Sequence, residues 1–248
     1  SWWLAPPVRL PAGAGLNRTS WDLRADNPPA FTHSFEINAN PGLTPASPEG
    51  PLVPPGTYTL RLTALGKTYT QPVTVVNDPR SPATAADVQA QYALQTKIVA
   101  GMQTSWDAYQ QVAALRAAVA ADTAASLGAE VIAAAKAFDS TLAAVGGNAE
   151  RGGGGFGGFG GGPRPAPSFV SVNGNLVNQI NALEQGDMAP TPAMLASYAA
   201  ACNDLVSAVT TWSRIKGAGL TAFNAVVTKH NLQPVTAATP AIAVPVCR

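Results

Sequence analysis

Near residue 80 the spacing of apolar side chains changes from every second residue to every third or fourth, and the prolines thin out at the same point. Side chains repeat with period two along a strand and 3.6 along a helix, so the change divides the chain into a strand-forming front and a helix-forming rear. In the front, Tyr58, Leu60, Leu62 and Ala64 alternate with Thr57, Thr59, Arg61 and Thr63. Leu65-Gly66-Lys67 supplies a tight connection, and Thr68 to Val76 returns as a partner strand with Val73 and Val75 on one face. Asn17 to Arg24 reads as a further strand, with Trp21 and Leu23 sharing a side. Between these, Asn27 to Pro54 is a long loop rich in Pro, Asn and Gly, in which Phe31, Phe35 and Ile37 fit a short edge strand. Short strands separated by turn residues predict an antiparallel sandwich.

The rear opens with Thr84 and Asp87 spaced as a capping box, Asp replacing the usual Glu. Val88, Tyr92, Gln95, Ile98, Met102, Trp106, Tyr109, Val112, Leu115 and Val119 follow at helical spacing. Unbroken to Ala120, such a helix is about 55 Å long at 1.5 Å per residue, with Gly101 as the position that could interrupt it. Further helices are predicted over Ser126 to Val145, Phe169 to Gln185, Pro192 to Ile215 and Gly219 to His230. The glycine tract from Gly146 to Pro167 is a flexible linker by composition. The expected class is therefore α+β: a β-sandwich over 1–80, an Ala-rich antiparallel helical bundle over 81–235 with a linker at 146–167, and a tail over 236–248.

Composition narrows function mainly by exclusion. Charged residues make up 12% and the net charge is +1, which attracts no nucleic acid and steers no strongly acidic substrate. No apolar run approaches the roughly 18 residues that span a bilayer. The chain starts at Ser1, which reads as a mature or trimmed product, and neither end carries a signal-peptide pattern. Cys202 and Cys247 form no CxxC pair and are too few for a metal cluster. They are either two unrelated thiols or one disulfide. A disulfide is the expectation taken here; it would staple the tail to the helix bearing Cys202 and would place the chain in an oxidising setting, periplasmic or secreted.

Catalytic constellations are sought in vain. His33 and His230 are the only histidines, no GxSxG exists, and none of the fourteen carboxylates is placed opposite another by the pattern. The glycine tract satisfies GxGxxG only trivially, since it follows a predicted helix and not a strand. No catalytic, cofactor-binding or metal-ligating residue is assigned. Trp106, Tyr109 and Trp212 stand at core spacing. The aromatics left over, Trp2, Trp3, Phe31, Phe35, Phe156 and Phe159, are the candidates for contact with a partner.

Several stretches, in order, form one pattern: Asn17-Arg18 with Trp21-Asp22-Leu23-Arg24, Gly50 to Tyr58, Gly66 to Pro72 with Asp78-Pro79-Arg80, and later Gln185 to Ala193 with Phe223-Asn224. It resembles the C-terminal region of bacterial sortilin-like, BNR-repeat β-propeller proteins. The resemblance implies an exported protein, an immunoglobulin-like sandwich and a helical appendage. Any sialidase-like chemistry of that family belongs to propellers, of which this chain has no repeat. The expected function is a non-catalytic extracytoplasmic interaction or scaffolding module, without cofactor or small-molecule ligand. Its partners would be other protein subunits, as in an accessory subunit docked on a membrane complex such as a respiratory or photosynthetic assembly. The alternative is a carbohydrate-binding or glycosidase-associated accessory domain, which needs coplanar exposed rings among Trp2, Trp3 and Trp21.

Overall fold

The computed structural model describes residues 5–6, 9–33, 44–121, 128–149, 165–237 and 240–247. Two strands and five α-helices lie among the described residues: β1 (Gly56–Ala64), β2 (Lys67–Val75), α1 (Ala85–Ala121), α2 (Ala129–Gly146), α3 (Phe169–Leu183), α4 (Pro192–Arg214) and α5 (Leu220–Lys229). A single π-helical turn, Ile215–Gly219, carries α4 into α5.

α1 is the axis of the bundle, in contact with α2, α3 and α4. Its 37 residues run straight through Gly101. The glycine sits at a close approach: a Cβ on it would lie 3.0 Å from Leu176 Cδ1 of α3, a contact that Leu176 would have to relieve by a few tenths of an ångström. The expected capping box forms, Thr84 Oγ1 accepting from the Asp87 amide at 3.2 Å and Asp87 Oδ2 accepting from the Thr84 amide at 2.9 Å. α3 starts with a second box, Ser168 with Ser171, and α4 with Thr191 as cap and Pro192 in its first turn. α1, α3, α4 and α5 begin and end within two residues of the bounds their periodicity predicts.

The core between the helices is made of Ile98, Met102, Leu142, Phe169, Leu176, Ile180, Leu205 and Trp212, all almost wholly buried. Phe138 of α2 and Phe223 of α5 stack at 5.0 Å. Beyond α5 the chain turns back along the bundle. Asn224 pairs with the backbone of Val235 in both directions, at 2.8 and 2.9 Å, and Gln111 of α1 donates to Pro240 O while accepting from Trp212 Nε1. Cys202 and Cys247 close this return as a disulfide with their Cα atoms 5.6 Å apart.

The front half departs from the expected immunoglobulin-like sandwich. β1 and β2 form a two-stranded antiparallel hairpin, and it is the only sheet among the described residues. The stretch from Asn17 to Arg24 is not a strand: Leu23 adopts a left-handed φ of 64°, and Asp22 Oδ1 accepts from the Arg24 amide at 3.0 Å. That local turn competes successfully with sheet pairing, and the segment keeps one bridge, Arg24 to Leu52. Alternation had shown that the hairpin has two unlike faces; it could not show that a second layer covers one of them.

Candidate interaction surface

In an antiparallel ladder, residues directly opposite share a face. Tyr58 faces Val73, Leu60 faces Gln71 and Leu62 faces Tyr69, while Thr57, Thr59, Arg61 and Thr63 face Thr74, Pro72, Thr70 and Thr68. One side of the hairpin is thus apolar and aromatic, the other rich in threonine. The two-residue connection Leu65-Gly66 has positive φ at both positions, 51° and 75°, which matches a hairpin's own twist. Neither strand lies along a helix. Consequently Leu60, Leu62 and Tyr69 are 46%, 53% and 56% exposed, and Leu65 at the tip is bare. Isolated exposed leucines are ordinary, but an apolar row on a free sheet face marks a contact surface.

The base of the hairpin meets the bundle at a cleft of about 310 Å³, bounded by Arg24, Val75, Val88, Gln91, Gln95 and Glu184. Arg24 Nη1 donates to Glu184 Oε1 at 2.7 Å and to Gly50 O at 2.8 Å, and Nη2 lies 3.4 Å from Glu49 Oε2. Burial pushes the Glu184 carboxyl above its ordinary range, against the pull of Arg24 and with the push of Glu49. The Gln91 amide is buried and fully engaged, donating to Leu183 O and Gly186 O and accepting from the Met188 amide. Above the cleft the front segment is latched to α3. Asn173, with no exposed surface, accepts from the Phe31 amide at 3.3 Å and donates to Pro29 O, Met102 O and Ser105 Oγ at 3.1, 3.3 and 3.1 Å.

Of the aromatics put forward as partner contacts, Phe31 is turned inward. Its ring stacks on Trp106 at 4.8 Å and meets Tyr109 edge-on at 4.7 Å. Trp2, Trp3, Phe35, Phe156 and Phe159 lie outside the described residues. Trp21 is partly exposed but meets Tyr58 at an interplanar angle of 68° and donates its Nε1 to Arg24 O. The pair offers no flat platform of the kind sugar stacking uses.

The residues weighed for catalysis are scattered. His33 is exposed. His230 ends α5 and shares the Glu130 carboxylate with Lys229, at 2.9 and 2.8 Å, on the surface; the hydrogen bonds from Lys229 and His230 hold the Glu130 carboxyl below its usual range. Asp139 is held low by Arg116 in the same way. Among the described residues, no three His, Cys, Asp or Glu side chains converge as metal ligands, and no helix is long and apolar enough to cross a membrane.

Periodicity had put Leu60, Leu62 and Val73 on one face correctly, but as a sandwich interior. Gln95, Arg24 and Glu184 carried no local signal, since Gln95 sits in the helical stripe of α1 and Arg24 meets Glu184 across 160 positions. The disulfide points to a non-cytoplasmic, oxidising compartment. Compared with models of known families, with curated proteins and with solved structures, the chain matches none.

Proposed function

We propose that this chain is a non-catalytic interaction module that acts outside the cytoplasm, periplasmic or secreted, and docks on another protein through the apolar face of its hairpin. The observation that carries the reading is the contrast along one ladder: Leu60, Leu62 and Tyr69 are exposed together, while the opposite side is threonine-rich. A lone hairpin is marginal in water and gains most from a layer laid against its apolar side. The rigid, stapled bundle then serves as the body that presents it. An accessory subunit on the outer face of a membrane assembly fits this arrangement.

The test is co-purification under mild extraction. Leu62→Glu with Tyr69→Glu, neighbours across the ladder, should abolish the partner, whereas Thr59→Glu on the other side should leave it bound. A native chain that is monomeric and without companion, or a partner retained by the double variant, would overturn the reading. The helical circular dichroism of each variant serves as the folding control.

A further inference from the structure

We infer that the cleft at the hairpin base is a binding site for an amphipathic cation: an ammonium or guanidinium group on an apolar stem, as a lysine or arginine side chain of a docking protein presents it. Three independent features converge there. First, Gln95 lines the cleft at only 5% exposure, and its side-chain amide has no hydrogen-bond partner among the described residues. A buried amide normally finds a partner within the fold. Its neighbour one turn earlier, Gln91, does so three times over. Gln95 thus brings an unpartnered amide, with an acceptor oxygen, to the wall of the cleft.

Second, charge is unbalanced. Glu49 and Glu184 share one guanidinium, that of Arg24, and Glu184 contributes only Oε1 to it. Its Oε2 accepts no hydrogen bond among the described residues. Asp187 adds a further carboxylate at the rim, while Asp78, also on the wall, is already neutralised by Arg80 at 2.7 Å. A half-buried carboxylate in negative surplus favours one additional cation.

Third, much of the remaining wall is apolar, and Val75, Val88 and Tyr92 line it where a methylene stem would lie. At about 310 Å³ the space suits one side chain and falls at the lower limit for small-molecule pockets.

A lysine side chain and a free alkylamine carry the same chemistry, so the experiment separates them. Nα-acetyl-lysine amide, its neutral counterpart Nα-acetyl-norleucine amide, n-butylammonium and a capped lysine-containing tripeptide are each titrated into the full chain. The readout is the Gln95 side-chain amide signal in a proton–nitrogen NMR spectrum. The lysine probe should shift that signal saturably, and the norleucine probe about tenfold less at equal concentration, the worth of one charged hydrogen bond. Gln95→Met loses no internal hydrogen bond and should fold; it should weaken the lysine probe by about tenfold, read on the Tyr92 amide.

Equal response to lysine and norleucine probes, or none to either, would overturn the site. Butylammonium binding as tightly as the tripeptide would overturn the assignment to a protein side chain. Only that source rests on the interaction reading above. A chain that binds the lysine probe but has no partner fails the function alone. A chain that loses its partner on Leu62→Glu yet ignores the probe fails the cleft alone.

Discussion

Leu142 in the bundle and Leu62 in the hairpin are the same side chain in elements of well-matched pattern, yet the first is wholly buried and the second is 53% exposed. The bundle satisfies itself: each helix meets at least one other, α1, α3 and α4 are capped by side chains, and its returning tail is pinned by side-chain amides and a disulfide. The hairpin satisfies only its own ladder. Secondary structure is thus completed locally in both regions, while burial is completed in one. The difference teaches that an exposed apolar face can be as regular as a buried one, and that its regularity is where a partner would be sought.

The sharpest way to probe the contrast is to remove side chains on each side of it. Trp212→Ala empties a fully buried indole site and strands Gln111 Oε1, and should cost toward about 5 kcal/mol in urea unfolding. Replacing Cys202 and Cys247 together by Ala should cost about 4 kcal/mol, as chain entropy predicts for a separation of 45 residues. A loss near zero would mean that the tail stays in place through Asn224 and Gln111 alone. Asn173→Leu should cost about 2 kcal/mol through the backbone groups of Pro29 and Phe31 left unpaired. It should also raise amide hydrogen exchange at Ala30 and Phe31, where a purely local cavity would not.

Titration contrasts the junction with the bundle. The Glu184 carboxyl is raised by burial, so the ionised group subtracts stability at neutral pH, and that penalty disappears as pH falls through the folded-state value. Asp139 is lowered by its hydrogen bonds to Arg116, so its contribution is complete above the unfolded value near about 3.9 and is lost as pH falls through the folded one. Urea midpoints of Glu184→Gln and native chain should therefore draw together between pH 7 and about 4, and those of Asp139→Asn only below about 4. Parallel curves for Glu184→Gln throughout that window would contradict the assignment. The smallest effect is expected at the hairpin face, where Leu60→Ala should change global stability by less than about 0.5 kcal/mol. A larger loss would show that the face is covered within the chain itself.

The helices were legible because their evidence is local: stripes at 3.6 spacing, and Thr84 with Asp87 at the start of α1. So was the β1–β2 ladder with its Leu65-Gly66 turn. The lack of a second layer was not legible, because whether Leu62 is covered depends on a second sheet that no spacing within β1 can reveal, and because Asp22 and Leu23 make a turn where alternation suggested a strand. Of the cleft, nothing could be read. Gln95 follows the helical stripe that also contains Ile98, and a polar residue in such a stripe looks the same whether it is satisfied or waiting. Arg24 and Glu184 are joined only by the tertiary path.

The latch on Asn173 has a consequence for how substitutions would be tolerated. Its amide grips main-chain atoms of Pro29 and Phe31, so the grip is blind to many changes in the gripped segment, provided the path of its backbone survives. The reverse does not hold, for no other side chain at 173 offers an acceptor and two donor hydrogens at that reach. In a saturation library scored for folded protein, position 173 should therefore appear as the polar point of intolerance among the apolar core positions of α3, facing a segment that accepts variety.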